Sequence, residues 1–117
     1  MRRVILESPY GSDDPAVVLQ NVAYAFACMA DCLERGEAPI ASHLLFTQFL
    51  DDKDPEHRKM GIEAGLAWVP VADAMVAYVD RGISNGMDAA MRHARRSGLP
   101  VELRTLDVIP ATEGPAT

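Results

Sequence analysis

Cysteine is scarce in this 117-residue chain, which has only Cys28 and Cys32. They are spaced i, i+4 in a segment that reads as helix, so both thiols share one face, and a disulfide between them would be strained. A structural zinc site wants four Cys or His ligands in paired clusters. The three histidines, His43, His57 and His93, are not paired at ligand spacing. No metal is expected, and both cysteines read as small apolar core residues. Basic residues are also few, 11 against 17 acidic ones, for a net charge of −6. That balance argues against a nucleic-acid backbone binder, which needs a basic face to displace counterions. No apolar run approaches the ~20 residues of a membrane-crossing helix. The start, Met1-Arg2-Arg3-Val4-Ile5-Leu6-Glu7, holds no apolar stretch long enough for a secretory signal. The expectation is a cytoplasmic domain with neither membrane nor nucleic acid as partner.

What is present is ordinary globular material, 49% hydrophobic and 24% charged. A chain of this length buries roughly two-thirds of its unfolded surface, enough for one core. Val4-Ile5-Leu6 reads as a strand that ends at Ser8-Pro9-Tyr10-Gly11. Asp14 is placed to cap a helix with Pro15 at its first position. Val18, Val22, Ala25, Met29 and Leu33 then recur at helical spacing, a seam that predicts a long helix closed by Gly36. Phe26, Trp68 and Met75 read as further core residues. A short strand is expected around Ala38–Ala41, with Pro39 at its start or on an edge. After an ambiguous stretch at 44–49, Asp54-Pro55 opens a helix that stops before Pro70, with His57-Arg58-Lys59 on a solvated face. Ala74–Val79 is a continuous apolar run suited to a buried parallel strand. A helix over about 87–97 and a last strand over 100–106 complete a β-α-β-(α)-α-β-α-β order. That order predicts a three-layer α/β sandwich around a small, mainly parallel sheet of four or five strands. Residues 1–106 form the domain, and 107–117, with Pro110 and Pro115, read as a flexible tail.

In an open parallel sheet, ligands bind beyond the carboxyl ends of the strands. Three segments follow strands here: Ser8-Pro9-Tyr10, Ser42-His43, and Asp80 through Gly86 with Gly82, Ser84 and Asn85. Tyr10 offers a face for a base, Asp80 an acceptor for sugar hydroxyls, and His43 a proton donor or acceptor near neutral pH. Ser84-Asn85-Gly86-Met87 opens a helix whose first amides can face an anion or a sugar oxygen. The competing reading makes Ser84, Gly82 and Gly86 plain cap and turn residues.

Val4-Ile5-Leu6-Glu7-Ser8-Pro9-Tyr10 resembles the first-strand signature of nucleoside 2-deoxyribosyltransferase-like proteins. Ser84-Asn85-Gly86-Met87, then Ala94 and Gly98-Leu99-Pro100-Val101, resembles their second signature. The likeness spans about residues 4–106 and is nearest to short, often phage-encoded members of unknown function. It implies a flavodoxin/deoxyribosyltransferase-like fold, a nucleoside- or nucleotide-shaped pocket, no cofactor and a homo-oligomer. In the family's enzymes a nucleophilic Glu stands four residues after the glycine that matches Gly86; here that position is Ala90. The first expectation is therefore a binding protein that sequesters or senses such a ligand. Beside it stand an N-glycosidase or transferase using another carboxylate, Glu7 or Asp88, with His43 assisting, and a structural domain with no small-molecule ligand.

Overall fold

The strand and helix signals resolve into four parallel strands with helices on both faces. The structure, a computed structural model, describes residues 1–106; the expected tail at 107–117 lies outside them. The elements are β1 (Arg2–Glu7), α1 (Pro15–Glu34), β2 (Glu37–Ile40), α2 (Ser42–Leu45), α3 (Pro55–Leu66), β3 (Ala74–Tyr78), α4 (Asn85–Arg96) and β4 (Val101–Arg104), with short 3-10 turns at Phe46–Gln48 and Val69–Val71. The strands lie in the order β2-β1-β3-β4, and every pair is parallel, with Val4 beside Ala74 and Met75 beside Val101. This is a three-layer α/β sandwich of flavodoxin-like order.

Side chains alternate across the sheet. Val4, Leu6, Val76 and Tyr78 pack with Tyr24, Cys28 and Cys32 of α1. Ile5, Met75 and Ala77 pack with Met87, Met91 and Ala94 of α4. β3 is buried along its whole length, which is why it reads as an unbroken apolar run. The long crossover from β2 to β3 carries α3, and its residue Leu66 joins the α4 side of the core. Asp14 caps α1 by accepting from the Ala16 N–H at 2.9 Å. Gly36, at a φ of +78°, takes the left-handed turn into β2.

α1 corrects the sequence expectation in two respects. Of the predicted seam of Val18, Val22, Ala25, Met29 and Leu33, only Ala25 is fully buried, with Met29 packed at the edge of the core. The sheet takes Asn21, Tyr24, Ala25, Cys28 and Cys32 instead, leaving Leu33 and Phe26 each 60% exposed. α1 is apolar nearly all round, so apolar spacing alone does not choose a face. The choice falls to Tyr24, whose hydroxyl donates to Asp80 at 2.5 Å, and to Cys32, whose thiol lies 3.4 Å from the Tyr78 hydroxyl. The same apolarity makes this 20-residue helix, with a mean hydropathy of 1.5, long and apolar enough to cross a membrane; in the fold it is the layer over β1 and β3. Of the other expected core residues, Met75 is buried, whereas Trp68 lies on the surface.

One charge cluster spans the sheet. Glu37 of β2 and Arg104 of β4 are almost fully buried and meet at 2.7 Å across both central strands. Arg2 adds a second cation at 2.9 Å from Glu37 and also pairs with Glu102. The Arg104 guanidinium holds the Glu37 carboxyl at about 2, well below its usual value.

Candidate functional site

A parallel sheet has its ligand crevice where strand order reverses. Here that point lies between the ends of β1 and β3, because the chain leaves β1 toward β2 and β3 toward β4. A cleft of about 810 Å³ opens there. Ile5, Glu7 and Met75 line it from the sheet, Ser8 and Tyr10 from the loop after β1, and Ser42 and His43 from α2. Ser84–Met87 and Ala90 supply the α4 wall, and Gly61, Ile62 and Gly65 the α3 wall.

Gly65 is needed for that shape. A Cβ on it would stand 2.7 Å from the Ser42 Oγ and 2.9 Å from the Ser42 Cβ. α3 and α2 pack this closely only because the side chain is missing. Gly65→Ala is expected to push α2 away and cost about 1–3 kcal/mol, as overpacking does; urea unfolding checks it, and an unchanged midpoint would contradict the close approach.

The polar groups facing the cleft are set by their neighbours. Ser8 is buried, and its Oγ lies 2.7 Å from the His43 Nε2. Thr47 donates to the His43 carbonyl at 2.6 Å, and the Tyr10 ring meets the imidazole edge-on at 6.4 Å. Burial lowers the His43 pKa to about 4, so at neutral pH the ring is uncharged, with one donor and one acceptor nitrogen. Asn21 donates to the Tyr10 carbonyl at 2.8 Å, tying the loop after β1 to α1. At the opposite wall, the Ser84 Oγ accepts from the Met87 N–H at 3.2 Å, a helix cap.

Glu7 is the exceptional group. It lines the cleft on the same face as Ile5, and among the described residues it has neither a hydrogen-bond nor an ion-pair partner. Burial pushes its carboxyl up to about 8, so at pH 7 it is mainly the neutral acid, able both to donate and to accept. At the rim, the loop 11–13 meets the loop 51–53. Lys53 lies 3.9 Å from Asp13, and Arg58 lies 3.3 Å from Asp52. Both rim cations thus already have carboxylate partners, and the interior is lined by uncharged donors and acceptors on an apolar floor. Such a lining suits a polar ligand with hydroxyls and a flat apolar part.

Residues 2–104 match a family described as a domain of unknown function, DUF7768. The chain belongs to that family. Among solved structures, the DUF7768 chain is similar to a 2-deoxyribosyltransferase from Bacillus psychrosaccharolyticus, with a TM-score of 0.62 and 17% identity over 98% of this chain and 77% of that one. At that identity the likeness is one of fold. Among curated protein sequences none matches.

Of the residues expected from sequence, the DUF7768 domain gathers Glu7, Ser8, Tyr10, Ser42, His43, Ser84, Asn85, Gly86 and Met87 around the one cleft. Pro9 joins Ser8 to Tyr10 without lining it. Three others stand apart. Asp80 is engaged elsewhere, accepting from the Tyr24 hydroxyl at 2.5 Å and from the Leu106 N–H at 3.1 Å. It fastens the end of β3 to α1 and to the chain after β4. Gly82, at a φ of +86°, serves the turn after β3. Asp88 pairs with Arg92 at 2.7 Å on the solvent side of α4, because two residues past Gly86 the helix has already turned away. The sequence reading missed His57 and Arg58, placed on a solvated face, and Phe46 and Thr47, all of which line the cleft. Their signal was weak: they follow a strand only at a distance, and the loop that folds them inward carries no motif. Among the described residues no three His, Cys, Asp or Glu side chains cluster as metal ligands would.

Proposed function

We propose that this domain binds a nucleoside or nucleotide derivative in the cleft between β1 and β3, as a sequestering or sensing protein rather than a transferase. The observation that carries this reading is the convergence of the loops after β1, β2 and β3 on one cleft at the reversal of strand order, in a fold shared with a 2-deoxyribosyltransferase. The position matching that family's nucleophile is Ala90, and a methyl group cannot attack an anomeric carbon. Glu7 faces the same space but carries its proton at neutral pH, which suits hydrogen bonding to a sugar or base and weakens it as a nucleophile. Ser8 and His43 then present a hydroxyl and a neutral imidazole to the sugar.

One observation favours a second reading, N-glycosidase or transferase activity: Glu7 lines the same cleft as Ala90 and is the carboxylate available there. As the acid it could protonate a leaving base. The test is a melting experiment with a panel of nucleosides and nucleotides, together with chromatography for released base. A binder raises the melting point, equivalent to about 2.7 kcal/mol at 100-fold excess over the dissociation constant. The shift should be lost in Ser8→Ala and His43→Ala, with no base released. Base release by the natural protein that disappears in Glu7→Gln would establish the second reading. A panel without any shift would sink both.

A further inference from the structure

The cleft holds more acid than base. Glu7, Asp13, Asp51 and Asp52 line it, against Lys53 and Arg58. Both cations stand at the rim and already face carboxylates, Asp13 and Asp52, and Asp51 accepts from the Lys53 N–H at 3.0 Å. Glu7 stands further in, with no hydrogen-bond or ion-pair partner among the described residues. A buried polar group without a partner in its own chain is completed from outside. From this geometry we infer that the ligand is a nucleoside whose base is a ring cation, seated with its positive charge against Glu7. The inference rests on the nucleoside reading proposed above and names the charge of the ligand.

Three features select a cation of this kind. Ser8, Ser42, His43 and Asn85 already offer neutral donors and acceptors in the cleft. Toward a neutral hydroxyl an amide would serve as well as Glu7; a carboxyl binds better where its partner is charged. The field of the cleft, in a chain of net charge −6, attracts cations and repels phosphate. The surroundings are apolar and aromatic, with Ile5, Met75 and Met87 on the floor and the Tyr10 ring beside them. Such walls suit a flat, delocalised cation. A bare metal ion would need further carboxylates or imidazoles beside Glu7, and no such cluster exists among the described residues.

Titration calorimetry on the full chain tests it with two matched pairs: nicotinamide riboside against its neutral dihydro form, and 7-methylguanosine against guanosine. The charged member of at least one pair should bind more tightly, and the pair that shows it tells a pyridinium from a purine cation. Glu7→Gln should weaken the charged member on the order of 10- to 100-fold and leave the neutral one nearly unchanged. The pH dependence has a definite sign. Burial alone holds the free Glu7 carboxyl up at about 8, and a bound cation draws the proton off. Affinity for nicotinamide riboside should therefore rise on the order of 25-fold from pH 6.5 to 8.5. A ligand held by the neutral acid would weaken over the same range. The other titratable or charged groups lining the cleft are Tyr10 and Asp13 after β1, His43 of α2, Asp51, Asp52 and Lys53 before α3, and His57 and Arg58 of α3. β3 and α4 add none, since Asp88 turns away to Arg92. Burial keeps the His43 ring neutral down to about pH 4, so the slope should vanish in Glu7→Gln. A slope that survives there, an affinity that falls with pH, or equal binding within both pairs overturns the inference and leaves the nucleoside reading standing. Absence of binding by every nucleoside overturns that reading itself.

Discussion

Replacing Glu37 with alanine is expected to lower the unfolding free energy by about 3–5 kcal/mol, the cost of leaving one member of a buried ion pair behind. Arg104 would keep its charge with only 8% of its side chain exposed, and its remaining contacts, Glu102 at 3.0 Å and the Tyr78 hydroxyl at 3.3 Å, do not replace a bidentate carboxylate. The pair also sets an acid dependence. The folded carboxyl titrates near 2 against an ordinary value of 4.5. Its contribution is therefore complete above about pH 4.5 and disappears as pH falls toward 2. Urea unfolding between pH 2.5 and 7 should show the natural protein losing stability on acidification while Glu37→Ala, already weakened, loses less. Equal slopes would mean that Glu37 is not held by Arg104. A double replacement, Glu37→Leu with Arg104→Met, should recover much of the loss, because the orphaned charge is gone.

Glu7→Gln should act in the opposite direction. Its carboxyl is raised from 4.5 to about 8 by burial, so folding favours the proton. The natural protein then loses stability as pH rises from about 4.5 through 8, where the unfolded chain ionises freely and the folded one does not. Glutamine has the same shape without the ionisation. The expected gain is about 4–5 kcal/mol at pH 8.5 and close to nothing at pH 4, measured by urea unfolding at both values. A pH-independent difference would show that the carboxyl is solvated. A group that costs stability where it stands, in a cleft, with no partner among the described residues, fits the binding role proposed above. The same variant should therefore be more stable and bind its ligand less well, which separates a functional acid from a structural one.

Much of the fold is legible locally. Asp14-Pro15 and Asp54-Pro55 mark two helix starts, Gly36 and Gly98 two ends, and Val4–Leu6 and Ala74–Tyr78 the central strands; each signal lies within a few residues of what it controls. Three of the segments that gather at the cleft could also be named in advance, because they follow β1, β2 and β3 directly and strand order places those ends together; the α3 wall could not. The finer assignments depended on contacts the chain makes at long range. Asp80 was a plausible sugar acceptor until its partner proved to be Tyr24, 56 residues away. Leu33 read as a core residue by spacing and Phe26 by its apolar character, but α1 has two apolar faces and one sheet.

Local chemistry in the chain was thus sufficient for the order of elements, the parallel sheet and the loops that meet at its edge. Which side of α1 is covered, which carboxylates are tied and which is left alone in the cleft were decided by the packed fold. Burial and proton affinity are set by neighbours in space, and in this protein the pairing of Glu37 with Arg104 joins residues 67 apart.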